Sequence, residues 1–443
     1  MKITNIASST VIISSNGYNI LCDPWLFDGE YYGSWYHYPP LEVRESVLNT
    51  VDYIYLSHIH PDHFSRKTFS FLDKKIPVLI HRYEAQFLKK NLEFMGFTVI
   101  ELDNGSKFSF NDNFFVEIYA ADNCNPELCG KFFGCGVFES TFGSTQIDSL
   151  ALFCDSDYKV LNVNDCPYSL SKGTLDFILK KYGKIDFLLV GYAGAGPFPQ
   201  CFNLNATELE LAAINKQTSF IRQSVDFVDL VKPSYYMPFA GTYVLGGKLA
   251  TANNYRGVPD IFDAKEAIDK MITSGSKGVL LNAYEHFDLC SAKFSKEFSR
   301  TIQLDREDYI KKYLTYKTFD YERDPIPTIS EFIELIPDSF TRFKMKVNEI
   351  GYSSNTFVIV DMVESFFLVI NLNKMEYRIE RNIDFSNLNF LRLNLDPRLL
   401  LRILKGPRFA HWNNASIGSH IKFDRSSSNY DRGLHYCLNF LHK

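Results

Sequence analysis

The chain has 443 residues, 46% of them hydrophobic and 22% charged, a balance that excludes a disordered or fibrous chain and leaves apolar surface for sizeable cores. The net charge is −5, from 47 Lys and Arg against 52 Asp and Glu, which supplies no electrostatic footprint for nucleic acid. No apolar run approaches the ~20 residues needed to span a bilayer, so a soluble protein of two domains, without membrane or nucleic-acid partners, is expected.

The N-terminal stretch has no small-residue cleavage site and reads as a first strand pair. Val11 to Ile13 and Tyr18 to Cys22 flank an SSNG turn, where Asn16 and Gly17 suit positive backbone angles. A Gly- and Tyr-rich loop, FDGEYYGSWYHYPPL, follows Asp23, Pro24 and Trp25, and is long enough to wall a pocket. Next come the apolar run VDYIYLS, a helically spaced SRKTFSFLDKK, a buried strand IPVLIH, an amphipathic YEAQFLKKNLEFMGF and a strand TVIEL. A hairpin about NDN, a Gly- and Cys-rich loop over 122–146 and a second hairpin, SLALFCDSDYKVLNVND, lead to Asn164 and Asp165. Helix TLDFILKKYG, strand IDFLLVGYA, a long helix within Thr207 to Val231 and strand SYYMPFA continue an α/β alternation.

Residues 246–315 read as mainly helical with one apolar strand, GVLLNAY, and complete a first domain over 1–320. YERDPIPT, with Pro325 and Pro327 among charges, is the linker candidate before an α+β accessory domain over 328–443. There FKMKVNEI, TFVIVDM, SFFLVINL and MEYRIER read as consecutive antiparallel strands, and DPRLLLRILKG as a helix opened by Pro and closed by Gly. Nine cysteines, an odd number without framework spacing, point to reduced thiols and a cytoplasmic location. Cys124, Cys129 and Cys135 lie close together, but their gaps fit no common zinc or iron–sulfur pattern, so unligated loop thiols are expected.

The chemistry concentrates in YLSHIHPDHFS, which holds His58, His60, Asp62 and His63 at the end of an apolar strand. His58 and His60 are one residue apart, so on an extended chain their side chains point to the same side and can grip one ion. Pro61 turns the chain, and Asp62 with His63 offers a hard oxygen and an imidazole to the same ion or to a second one. Asp62 is also a good cap for the helix that follows. One or two divalent ions are expected here, and the residue types suit zinc, iron or manganese.

The HxHxDH pattern of His58, His60, Asp62 and His63 resembles the metallo-β-lactamase superfamily. The resemblance extends to Asp23 after an early strand and to Asp165 at a later strand end, where that family places a metal-bridging carboxylate. It implies an αββα sandwich with the metals at one edge, and metal ligands at His58, His60, Asp62, His63 and Asp165. CDPWL, YLSHIHPDHFS, VLNVNDC, YAGAGPFPQCF and PSYYMPFAGTYV further resemble the β-lactamase-like region of CMP-N-acetylneuraminate hydroxylases, which carry an additional Rieske iron–sulfur domain. This chain has no CxH or CxxH pair to match that domain. Two histidines usual in superfamily hydrolases are absent, from the stretch Glu139 to Asp148 and from PFAG, where Phe239 and Ala240 stand. Glu139, Asp148 and the Glu285–His286 pair are chemically able to fill the gap, yet each is expected to be a hydrogen-bonded structural group.

Two functions use the same ligands. In a hydrolase, metal-bound water attacks a small polar substrate, with Asp62 or Asp165 orienting the water and accepting its proton. In an iron-dependent oxygenase acting on a nucleotide sugar or related metabolite, electrons must come from a separate partner. A non-catalytic binding protein that retains an incomplete site is the third reading. His37 in the Tyr-rich loop, Tyr192 and Phe239 are the candidate substrate contacts, and His81 is expected to be structural. HWNNASIGSHIKFDR, with His411 and His420, reads either as a strand and turn with capping Asn residues or as a polar surface closing over the site. The C-terminal pattern is faintly similar to sterol-carrier-protein-like domains.

Overall fold

The computed structural model describes residues 1–83, 86–121, 148–301, 303–427 and 431–443. The first hairpin pairs Thr10–Ser15 with Tyr18–Cys22 and turns at Asn16 and Gly17, whose φ angles are 50° and 84°. Gly17 takes that left-handed conformation without steric cost. Around the hairpin an eight-stranded sheet runs in the order Lys293–Phe294, His286–Asp288, Lys2–Ala7, Thr10–Ser15, Tyr18–Cys22, Tyr53–Tyr55, Val78–His81 and Val99–Leu102. A seven-stranded sheet runs Lys277–Gly278, Tyr235–Phe239, Phe187–Gly191, Lys159–Asn162, Ser149–Asp155, Phe114–Ala120 and Ser106–Asn111.

The alternation of the strands puts one apolar set of each sheet into a shared core, in which Val11, Ile13 and Ile20 meet Val116, Phe153 and Phe187. Each fully buried Phe or Ile there contributes about 1.5–3 kcal/mol relative to exposure. The outer face of the first sheet is covered by Arg66–Phe71 and Phe87–Phe94, through Phe69 and Leu92. Tyr168–Tyr182, Ala206–Val231 and Ile261–Met271 cover the second through Leu175, Val228 and Ile268. The result is an αββα sandwich, as the sequence motif implies. Its parallel strands Tyr18–Cys22, Tyr53–Tyr55, Lys159–Asn162 and Phe187–Gly191 all end toward one edge.

The remainder of the chain forms a five-stranded sheet, ordered Glu376–Glu380, Phe367–Asn371, Phe357–Asp361, Phe390–Asn394 and Lys422–Arg425. Helices Ile329–Glu349 and Pro397–Leu404 bury Phe332, Phe343, Leu399 and Ile403 against it. Cys201 and Phe202 from the YAGAGPFPQCF loop enter this core, with Phe202 stacked on Phe423 at 4.9 Å. Phe319 and Tyr321 enter it too, and Asp324 accepts a hydrogen bond of 2.8 Å from Arg402.

Two expected strands are absent. FKMKVNEI is the last part of the helix Ile329–Glu349, whose buried Phe340, Phe343 and Val347 follow a helical spacing and leave Lys344 exposed. Its five-residue alternation is too short to compete with that longer period. GVLLNAY contributes only Gly278, the end of the two-residue strand Lys277–Gly278 that pairs with Tyr235 and Tyr236. After that the chain crosses between the sheets, with Val279 and Leu281 buried on the way and the Tyr284 amide bonded to the Asn5 carbonyl.

Candidate metal centre

The strand Tyr53–Tyr55 delivers Ser57 and His58 to the sandwich edge, where both are buried. The turn that follows is closed by the amides of His63 and Phe64 on the His60 carbonyl, at 3.0 and 2.7 Å. Ser65, not Asp62, caps the next helix, accepting from the Thr68 amide at 3.1 Å. Asp62 is thereby left for other contacts, and its carboxylate accepts the Tyr31 hydroxyl at 2.5 Å.

Hydrogen bonds behind the cluster fix what each imidazole presents. Asp23, fully buried, accepts the Ser57 amide at 2.7 Å and the Ser57 hydroxyl at 2.8 Å. Having given its proton to Asp23, the Ser57 oxygen accepts from His58 Nδ1, 2.9 Å away, so His58 Nε2 carries a lone pair. His63 Nδ1 lies 3.1 Å from Asp23, which makes it the donor and leaves His63 Nε2 unprotonated in the neutral ring. Asp23 is therefore the residue that aims two imidazoles at once.

The aimed atoms converge. His58 Nε2 accepts a hydrogen bond from His60 Nδ1 at 2.9 Å when His60 carries its proton there. A cation at this position would take the place of that proton, with both nitrogens turning lone pairs to it. His63 Nε2 is buried with no hydrogen-bond partner, and has Asp165 Oδ2 at 3.5 Å and Asp62 Oδ2 at 3.6 Å. Asp165 is also 3.9 Å from His58 Nε2. Donors each about 2.1 Å from a shared tetrahedral ion lie about 3.4 Å apart, so these separations are those of ligands around an ion. The ligand atoms of His58, His63 and Asp165 all lie within 4.8 Å of one another, and so do those of His58, His60 and Asp148.

The charges agree with this geometry. Burial works against the His63 imidazolium, but Asp165, Asp23 and Asp62 outweigh it and raise its pKa well above the usual value. Burial, joined by His63 and His60, holds His58 well below its usual value. Burial pushes the Asp62 carboxyl up. Burial also opposes ionisation of Asp165, but His63 and His60 outweigh it and hold that carboxyl down.

Residues 2–123 match the family model of the beta-lactamase superfamily domain. The N-terminal part of the chain is thus similar to the beta-lactamase superfamily domain. A putative Rieske 2Fe-2S iron–sulfur protein of Mycolicibacterium smegmatis is 26% identical over 290 residues, covering 63% of this chain and 52% of that protein. Cytidine monophosphate-N-acetylneuraminic acid hydroxylase of Danio rerio is 23% identical over 254 residues, covering 55% of this chain and 38% of that protein. The chain thus spans about half or less of the curated relatives it matches. Among solved structures, an isothiocyanate hydrolase from Delia radicum gut bacteria matches 65% of this chain and 99% of that chain, with 14% identity and a TM-score of 0.44. CmlA, a diiron beta-hydroxylase from Streptomyces venezuelae, matches 63% and 52%, with 15% identity and a TM-score of 0.38.

Three further residues surround the candidate centre: Asp148, which the sequence offered as a possible ligand but which was expected to be structural, and Tyr31 and Asn413, which the sequence did not single out. Asp148 Oδ1 lies 3.5 Å from His58 Nδ1 and close enough to His60 for the three side chains to hold one ion. Tyr31 anchors Asp62. Asn413 Nδ2 lies 3.2 Å from His60 Nε2. Its element is the helix Trp412–Ile417, not a strand and turn, capped by His411 and tied to the Tyr-rich loop by a Tyr32 hydroxyl that accepts the His411 amide at 2.7 Å. His420 closes the same seam, with Nε2 2.7 Å from the Tyr31 carbonyl. Of the two readings of HWNNASIGSHIKFDR, the closing surface is the one that matches these contacts. A polar side chain set on an apolar helix face was the one signal available for Asn413.

Glu285 and His286 sit elsewhere, with Glu285 accepting from Ser295 and His286 paired with Thr4 on the first sheet. His81 is buried beside the Tyr83 ring at 4.3 Å, away from the cluster. Glu139, Cys124, Cys129 and Cys135 lie outside the described residues. Among the described residues no helix is long and apolar enough to cross a membrane.

The candidate substrate contacts His37, Tyr192 and Phe239 all line one cavity of about 290 Å³. Both nitrogens of His37 are engaged inside the protein, with Asp28 at 2.8 Å and the Trp25 carbonyl at 3.1 Å. None of the five expected metal ligands lines the cavity. A stack of rings separates the two sites: Tyr243 in the cavity wall lies on Trp35 at 3.4 Å, and Trp35 meets Tyr31 at 4.5 Å.

Proposed function

We propose that the chain is a metal-dependent hydrolase of a small polar substrate, with His58, His60, Asp62, His63 and Asp165 holding one or two divalent ions. The observation that carries this reading is the convergence of His63 Nε2, Asp62 and Asp165 at 3.5–3.6 Å, spaced for an ion and not for each other. A divalent ion there brings the pKa of its water toward neutrality and polarises the attacked carbonyl or phosphoryl oxygen. Asp165 has a side chain 35% exposed, against 11% for Asp62. It is the carboxylate placed to accept the water's proton and pass it to solvent. Asp62, fixed by Tyr31, orients the water. Asp23 and Ser57 keep the two Nε2 lone pairs in place throughout.

The similarity to proteins named hydroxylase and Rieske iron–sulfur protein favours a second reading. In it the same ligands hold iron, the substrate is a nucleotide sugar or related metabolite, and a separate protein donates electrons. Metal analysis of protein purified without added metal, with turnover measured in air and under argon, tests the choice. Zinc or manganese with oxygen-independent turnover is the expected result. Iron with an oxygen-dependent optical change would sink the hydrolase and leave the oxygenase. A cytoplasmic location goes with either reading, through the free thiols among the described residues, exposed at Cys290 and buried at Cys22, Cys154 and Cys166.

A further inference from the structure

The cavity behind the ring stack holds a charge that the protein does not neutralise. Arg256 lines it, is only 4% exposed, and makes its hydrogen bonds through Nη1, to the Tyr243 carbonyl at 2.5 Å and to Asn253 at 3.3 Å. Its Nε is buried with no partner. The guanidinium carbon lies over the Tyr243 ring, 3.9 Å from its centroid. Among the described residues no carboxylate forms an ion pair with Arg256. Arg306 lines the same cavity, adding a second positive charge. The lining carboxylate Asp260 is already committed, accepting from the Phe262 amide at 2.9 Å to cap a helix and facing Arg300 at 3.7 Å.

Burying a guanidinium without a counter-ion costs several kcal/mol, and a planar fork with an open Nε is the geometry that takes an oxyanion in two parallel hydrogen bonds. The rest of the wall is aromatic, with Tyr192, Phe239 and Tyr243. Together these give an enclosed site that is positive at one end and apolar along its sides.

We propose that this cavity is a separate binding site for a small organic oxyanion, whose carboxylate or phosphate group pairs with Arg256, in the wall it shares with Arg306, while its apolar body lies against Tyr192 and Phe239. The site goes beyond the metal-centre reading, because it shares no residue with the expected ligands. It stands or falls independently of what the metal does.

Calorimetric titration of the full-length protein with inorganic phosphate and, separately, with succinate tests it. Wild type is expected to bind at least one of them saturably, and the stronger of the two tells phosphate from carboxylate. Arg256→Met and Arg306→Met, the second in case the first fails to fold, are expected to weaken binding about tenfold or more, the usual size for loss of a charge-assisted pair. The double variant His58→Ala plus His60→Ala is expected to bind the anion as wild type does. Three results overturn the proposal: no saturable binding of either anion up to ~10 mM, unchanged affinity in both arginine variants, or loss of binding in the double histidine variant. The last would mean that phosphate reports the metal centre.

Discussion

Two polar clusters lie on either side of the Tyr31–Trp35–Tyr243 ring stack, and they are built in opposite ways. On one side, three imidazoles and the carboxylates of Asp23, Asp62 and Asp165 are pre-aimed by hydrogen bonds that end in converging donors. Six consecutive residues supply most of that side. On the other, Arg256 and Arg306 bring positive charge to a wall assembled from distant parts of the chain. The first cluster is negative and asks for a cation; the second is positive and asks for an anion. A chain can write most of the first as a motif, because one strand end and one turn place His58, His60, Asp62 and His63. The second exists only after the fold has brought its parts together.

Removing donors from the first cluster is the largest perturbation. His58→Ala plus His60→Ala deletes two of the three imidazoles and should lower affinity for zinc by more than the about 10–100-fold typical of an outer partner. Competitive titration against a chromogenic chelator measures it. If metal content stays at the wild-type level, the ligand assignment is wrong and the contrast between the two clusters collapses.

Acid should loosen the partition between them. His420 bridges the Tyr31 carbonyl and the Tyr321 hydroxyl, at 2.7 and 3.0 Å, and burial pushes its pKa down to about 4. The unfolded chain takes up this proton near pH ~6.5, before the folded chain does. Stability is therefore complete above that pH, falls as pH drops toward about 4, and levels off below; the full loss is about 3 kcal/mol. Buried His411 and His435, also about 4, add losses of the same sign. Urea midpoints between pH 7 and pH 4.5 should show the decline. His420→Phe should make it shallower whatever it does to stability at neutral pH, and an unchanged slope would clear His420 of this role.

The contrast also explains what was legible. His58, His60, Asp62 and His63 could be read because strand geometry and one turn settle where they point. Asp165 was reachable through the position of its strand end. The αββα layers followed from apolar periodicity that is long and consistent, whereas FKMKVNEI misled because an alternation of five residues occurs inside a helix whose charged face happens to interrupt it. Asp148 was visible as a possible ligand but was read as structural, and Asn413 and Arg256 were not legible as site residues. A carboxylate before an apolar strand, an amide on a short helix and an arginine after a 3-10 turn are ordinary until a partner is placed beside each. The partners lie 90, 353 and 13 positions away or more: His58 for Asp148, His60 for Asn413, the Tyr243 carbonyl for Arg256.

Within the first cluster, Asp23 carries more of the arrangement than its distance from the ion suggests. It holds Ser57 twice and His63 once. Asp23→Ala frees His58 to invert its tautomer and leaves His63 without its orienting acceptor. A loss of about 10–100-fold in metal affinity is expected, together with destabilisation of about 1–3 kcal/mol from the orphaned Ser57 groups. Asp23→Asn keeps the volume but not the charge, and should fall between the two.

The smallest expected effect is the most informative about the C-terminal part of the chain. Asn413 makes one contact with the centre, at His60 Nε2, 3.2 Å away. When His60 Nδ1 serves an ion, Nε2 carries the proton, so the amide must present its oxygen there; amide oxygen and nitrogen differ only by a rotation of the side chain. Asn413→Leu removes that acceptor and keeps the size, and should weaken metal binding by about tenfold, the low end for an outer partner with one hydrogen bond. Asn413→Asp restores an acceptor and adds a negative charge, so it should bind metal at least as tightly as wild type. A ranking with Asp above Asn above Leu fits a helix that tunes the metal from outside. Equal affinities for all three would make the helix Trp412–Ile417 a cover and nothing more, and the centre would then be the work of the N-terminal sandwich alone.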